Sequence, residues 1–193
     1  MAQQKEKMKA ALILAMLFCF TSGIFAQQKS YINPGLLTAS GTLSPAVMLN
    51  RNNMNYYLNG FLEGRLDKRI SLRGELHYML GNASEKFLNR NIRTTFGLQY
   101  GFPFGNFEVH TGFAPGFSIM ESNRNLSAFE FVPTIQLNAG VRYYVWKYFN
   151  FFSNFSYVHS KMNNLNQISG MADEFVFAVG LGLNFQVLKK YRD

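Results

Sequence analysis

The chain has 193 residues, with 19 Lys and Arg against 11 Asp and Glu, 48% hydrophobic and 16% aromatic residues, and a single cysteine. That length fits one domain with a sizeable core, and a lone cysteine excludes a disulfide scaffold and a cysteine-built metal site. The basic excess does not point to nucleic acid, because the Lys and Arg residues are scattered along the chain and form no stripe.

The N-terminus reads as an export signal. Lys5, Lys7 and Lys9 form a basic start, Ala10 to Phe20 an uninterrupted apolar run, and Thr21 to Ala26 a region suited to cleavage after Ala26. The run is far shorter than the about 20 apolar residues that cross a bilayer as a helix. Cys19 lies inside it, and Met16-Leu17-Phe18 ahead of the cysteine lacks the small residues of a lipoprotein signal. Residues 1–26 are therefore expected to be a signal peptide. Residues 27–193 then form the mature domain, cysteine-free, with 16 basic and 10 acidic residues and a formal charge of +6 over 167 residues.

Eight segments of the mature chain alternate apolar with polar or small residues, the period of a strand whose two faces meet different surroundings. The first runs from about Leu36 to Asn50. The second, Met54 to Leu66, sets Tyr56, Leu58, Leu62 and Leu66 against Asn55, Asn59, Glu63 and Arg65. The third, Ile70 to Leu80, sets Leu72, Leu76 and Tyr78 against Arg73, Glu75 and His77. The fourth and fifth, Asn91 to Gly101 and Phe107 to Met120, place Arg93, Thr95 and Gln99, then Glu108, His110 and Gly112, opposite large apolar residues. The sixth and seventh are Ala128 to Val145 and Phe149 to Ser160. In the eighth, residues 174–188, Phe175, Phe177, Val179, Leu181, Leu183, Phe185 and Val187 alternate with Glu174, Ala178, Gly180, Gly182, Asn184 and Gln186.

The connectors alternate in length. Asp67 to Arg69, Phe102 to Asn106 and Trp146 to Tyr148 are short, whereas Asn82 to Arg90, Glu121 to Ser127 and Lys161 to Asp173 are long and polar; only Arg51 to Asn53 departs from the pattern. Short turns on one rim and longer loops on the other are the organisation of a barrel crossing an outer membrane, with the turns periplasmic.

Periodicity alone does not say which face is inside. The seven lysines of the mature chain, Lys29, Lys68, Lys86, Lys147, Lys161, Lys189 and Lys190, all fall outside the eight segments. A water-facing strand surface carries lysine freely, so a polar face without it reads as a packed interior, and eight strands leave a lumen that side chains can fill. The oily face is then turned to lipid. Counting back from the turn at Lys68 puts Glu63 opposite Arg73, and the same count brings Glu108 near Gln99; Arg65, Glu75, Arg93, His110, Glu130 and Arg142 complete a mixed-sign internal set that can pair. Tyr100, Phe102, Phe104, Tyr143, Trp146, Tyr148 and Phe149 gather at the short-turn rim, and Tyr56, Tyr78, Phe117, Phe129 and Tyr157 nearer the loop rim, as two interfacial girdles do. Pro115 and Pro133 count as facing one another in neighbouring strands, which predicts a bulge or a broken pairing there. The expected fold is an all-β, eight-stranded, antiparallel up-and-down transmembrane β-barrel.

On this architecture, residues 36–188 resemble the small outer-membrane β-barrels of the OmpX/OmpA type. Gly182, Phe185 and Val187 resemble the C-terminal signal read by the barrel-insertion machinery, although Gly180 stands at its polar position and the chain runs on through Lys189 to Asp193. The resemblance implies a Gram-negative cell envelope, a place in the outer membrane among lipids that include lipopolysaccharide, and an extracellular ligand or envelope protein as partner.

The chemistry is sparse. His77 and His110 fall on the interior face, where a hydrogen-bonded structural histidine is the ordinary reading. His159, beside Ser160 and across the loop from Glu174, resembles the Ser, His and Glu of lipid-A deacylating barrels, but adjacent strand residues point to opposite faces. Gly180-x-Gly182 lacks the following helix of a dinucleotide site, and neither zinc-ligand nor calcium-loop spacing occurs. The expectation is a non-enzymatic membrane barrel with no catalytic, cofactor-binding or metal residues, acting structurally or through its outer loops. A lipid-A-modifying enzyme, a narrow channel and a subunit of a larger envelope assembly are the alternatives.

Overall fold

The computed structural model describes residues 31–50, 53–83, 88–122, 129–162 and 170–188. The expected signal peptide, Lys29, Lys86, Lys189 and Lys190 lie outside these residues. The strands are β1 (Leu36–Met48), β2 (Met54–Arg65), β3 (Ile70–Asn82), β4 (Leu88–Phe104), β5 (Phe107–Ser122), β6 (Phe129–Trp146), β7 (Phe149–Met162), the two-residue β8 (Gly170–Met171) and β9 (Glu174–Gln186). β8 extends β7 at its loop end, pairing Lys161 with Met171 and Met162 with Gly170. The eight long strands pair antiparallel, each with the next long strand in sequence, and β1 pairs with β9 to close the barrel. Closure removes the open edges of the eight long strands and gives most of their backbone groups partners within the fold, the condition a chain must meet in a medium without water.

The alternation read from the sequence sorts the faces as expected. Leu58, Phe96, Leu98, Phe113, Leu137, Phe155 and Leu183 are exposed on the outside, while Glu63, Arg73, Arg93, Glu108, His110, Gln136, Arg142 and Asn154 are buried inside. The aromatic residues assigned to the short-turn rim are all exposed, as are Tyr56, Tyr78, Phe117 and Phe129 toward the loops.

Several expectations need correction. Strands reach further toward the loop rim than the alternation alone suggests, β3 running to Asn82, β4 starting at Leu88, β5 ending at Ser122 and β7 at Met162, and Lys161, expected outside the strands, stands exposed near the end of β7. Glu108 is not near Gln99: it faces Pro103, and Gln99 faces Gly112. The reason is the turn. Phe104 faces Phe107, leaving Gly105 and Asn106 as a two-residue hairpin, and Gly105 has φ 64°, in the left-handed region that glycine enters freely.

The prolines do not face one another either. Pro115 lies opposite Ile135 and Pro133 opposite Phe117, and the β5–β6 ladder runs past both without a register shift. The interruption is on the other side of β5, between Thr95–Gly116 and Leu98–Phe113, where Pro115 has no N–H to offer β4. A Cβ on Gly97 would collide with the Phe113 carbonyl and the Ala114 Cα, and one on Gly116 with the Thr94 carbonyl, so β4 and β5 approach here as only glycine permits. Other prolines also sit where a ladder lapses: Pro45 within the gap of the β1–β9 seam, and Pro133 just before the β6–β7 ladder begins at Thr134.

Candidate functional site

The alternation aims every second side chain into a narrow tube, and the lumen is built in layers. Nearest the short turns, Arg65 Nη2 donates to both oxygens of Glu108, at 2.6 and 2.7 Å. Arg142 donates to both oxygens of Glu63, Nη2 at 2.7 Å and Nη1 at 3.1 Å. Tyr144 joins the pairs, its hydroxyl donating to Glu108 at 3.0 Å and accepting from Arg142 at 3.1 Å. Ser71 donates to Glu63 at 2.8 Å. All these side chains are buried, and charges so far from water persist only when paired and hydrogen-bonded.

The middle layer combines charge with aromatic bulk. The Arg73 guanidinium lies 3.8 Å from the centre of the Phe61 ring, and Phe61 meets Phe152 edge to face at 5.1 Å, a favourable geometry for both contacts. Arg73 also pairs with Glu75 at 3.3 Å. Glu75 accepts from Asn59 at 2.8 Å and Gln136 at 3.0 Å. With its amide oxygen turned to Arg73, Asn154 accepts at 3.0 Å and donates to His110 at 2.9 Å.

Toward the loops, Glu174 is the hub. It accepts from Arg93 at 2.8 Å, Tyr57 at 2.9 Å and Asn55 at 2.6 Å, and Asn91 donates to the Tyr57 hydroxyl at 3.0 Å. Around this hub lies a buried apolar cluster, which includes Met48, Met79, Leu88, Met120, Val132, Val158 and Val176. The lumen is thus ionic for most of its length and oily at its outer end.

Sequence reasoning placed Arg65, Arg73, Glu75, Arg93, His110, Glu130 and Arg142 on the inner face, and the structure has them there. It found the Glu63–Arg73 register but not the partners, because Glu63 reaches across the lumen to Arg142 while Arg73 takes Glu75. The inward phenols Tyr57 and Tyr144 and the apolar outer cluster were missed. Their signal was available: each shares the strand parity of a predicted inward polar residue, Tyr57 that of Asn55 and Asn59, and Tyr144 that of Arg142.

The Ser, His and Glu of the enzyme alternative are separated. Ser160 is buried inside, 2.9 Å from the Thr134 hydroxyl, and Glu174 belongs to the inner hub. His159 instead lies partly exposed on the other face, where its Nδ1 is 2.7 Å from the Asp173 carboxylate. Asp173 also accepts from the Tyr157 hydroxyl at 3.1 Å. No cluster of three or more His, Cys, Asp or Glu suited to a metal occurs among the described residues.

A closed eight-stranded barrel with an apolar exterior, aromatic rims and an ion-paired interior is a transmembrane barrel of the outer-membrane type. No protein-family model matches the sequence, and no curated protein matches it. Solved structures do. The outer-membrane protein OprG of Pseudomonas aeruginosa is similar with a TM-score of 0.58 at 13% identity, over 82% of this chain and 100% of that one. Neisserial surface protein A is similar with a TM-score of 0.56 at 8% identity, over 78% of this chain and 96% of that one. Ail of Yersinia pestis, solved in complex with the heparin analogue sucrose octasulfate, is similar with a TM-score of 0.50 at 11% identity, over 79% of this chain and 99% of that one. At these identities the likeness concerns the fold.

Proposed function

We propose that the mature chain, residues 27–193 after removal of a signal peptide, is a non-enzymatic barrel of the outer membrane with a structural or surface-interaction role exercised at its loop end. The observation that carries this reading is the lumen, where the charged groups are committed to one another across the barrel and an apolar cluster occupies the outer end. A filled tube of eight strands offers no path for solutes, which moves activity to the parts outside it. The capture of Ail with sucrose octasulfate supports an interaction role for a barrel of this build. Outer-membrane lipid, including lipopolysaccharide, would surround the barrel, and the barrel-insertion machinery would place it there.

Chemical crosslinking in native envelopes, followed by pull-down, tests the reading. The comparison is with a variant whose segments 83–87, 123–128 and 163–169 are replaced by short turns. Partners captured by the native chain and lost from the variant would establish loop-mediated binding; the same partners on both would point to the barrel wall. Reconstitution in planar bilayers tests the closed lumen, and the expected trace is flat, without sustained conductance steps.

A further inference from the structure

The outer wall is not uniformly convex. One row of cross-strand partners runs Ile70, Tyr100, Thr111, Ala139 across β3 to β6, and the next row toward the loops runs Leu72, Leu98, Phe113, Leu137. Thr111 is a small residue between large ones, so the wall dips there. The dip is a groove of about 460 Å³ lined by Ile70, Leu98, Tyr100, Thr111, Phe113 and Leu137, with Gln99 and Gly112 also at its surface. Thr111 donates its hydroxyl to the Asn138 carbonyl at 3.0 Å, which commits its polar atom to the backbone and keeps the lining apolar.

The groove ends beside a cation. Arg69, adjacent to Ile70, is exposed and donates from Nη1 to the Tyr100 hydroxyl at 3.2 Å, which holds the guanidinium against the outside of the short-turn rim. The nearby carboxylate of Asp67 is engaged by the backbone N–H groups of Arg69 and Ile70, at 2.6 and 2.7 Å, and Lys68 adds a second exposed cation to the turn. An apolar channel leading to a guanidinium at the level of the lipid headgroups matches an acyl chain joined to a phosphate.

We propose that this face seats one anionic phospholipid of the leaflet at the short-turn rim, with an acyl chain in the β3–β6 groove and its phosphate on Arg69. The seat is independent of the loops and of the lumen.

The test is native mass spectrometry of the detergent-purified barrel after incubation with phosphatidylglycerol or phosphatidylcholine, with heat-modifiable migration confirming that each variant is folded. The native chain is expected to retain one phosphatidylglycerol about tenfold more strongly than phosphatidylcholine, because both present a phosphodiester to Arg69 but the quaternary ammonium of phosphatidylcholine brings a like charge against Arg69 and Lys68. Arg69→Gln should remove that preference, and Thr111→Phe, which fills the groove but leaves the arginine, should reduce retention of both lipids. Equal retention of the two lipids by the native chain, or undiminished retention by Thr111→Phe, would overturn the proposal and leave only the unselective lipid shell of any barrel.

Discussion

Glu63 of β2 and Arg142 of β6 meet across the lumen through two hydrogen bonds of 2.7 and 3.1 Å, although Arg73 stands directly opposite Glu63 in the sheet. The lumen is therefore tied across its diameter, and each strand's position depends on strands it does not touch. Removing one partner leaves the other buried charge with only a longer ion pair, Arg142 to Glu108 at 3.6 Å or Glu63 to Arg65 at 3.7 Å, at a cost of up to about 3–5 kcal/mol. Glu63→Gln and Arg142→Met should each lower stability by that amount in urea titrations of the reconstituted barrel. The double variant should lose clearly less than the two losses together, because neither charge is then stranded. Strict additivity would mean that the pair is not coupled.

A second prediction concerns the close approach of β4 and β5. Gly97→Ala places a methyl against the Phe113 carbonyl and the Ala114 backbone, and overpacking of this kind costs about 1–3 kcal/mol. Gly81→Ala is the control, since a Cβ at that position meets nothing within 4 Å, and its effect should stay within about 0.5 kcal/mol. Urea midpoints followed by the fluorescence of Trp146 would separate the two.

The turn at Asp67 gives a pH-dependent prediction. Its carboxylate accepts two backbone N–H groups, and these hydrogen bonds lower its pKa below the ordinary aspartate value. A depressed folded-state pKa means that the ionised form is favoured by folding, so the turn's contribution is complete above the unfolded value and is lost as pH falls through the folded one. The amide proton shifts of Arg69 and Ile70 should therefore titrate with a midpoint below that of a free aspartate. Asp67→Asn should abolish the titration.

The strands and the direction of their faces were legible because a strand reports its surroundings at every second residue, and eight strands repeated the message. The lysines were a sound guide even though Lys161 proved to lie in β7, since it stands exposed near the loop end. The ion pairs were not legible. Pairing across a lumen depends on barrel stagger, which no local pattern encodes, so Glu63 was matched with its sheet neighbour Arg73 and not with Arg142. The Glu108 register failed for a smaller reason: counting from the middle of a five-residue connector ignores that the turn closes around Gly105, which takes a positive φ. Met79, Met120 and Val132 inside the outer end escaped notice because an apolar residue at an inward position looks like a lapse in the alternation, not like the lining of a plug.

The central claim is that lipid touches the large apolar side chains while the lumen is closed to it, and intermolecular NOEs from methyl groups to detergent acyl chains measure this without substitution. Methyls of Leu98, Ile135, Leu137 and Leu181, exposed on the wall, should show strong cross-peaks to the acyl chains. Those of Val132, Val158 and Val176, buried within the barrel, should show none. Acyl-chain contacts on the second group with none on the first would contradict the orientation, and with it the account of what this barrel does.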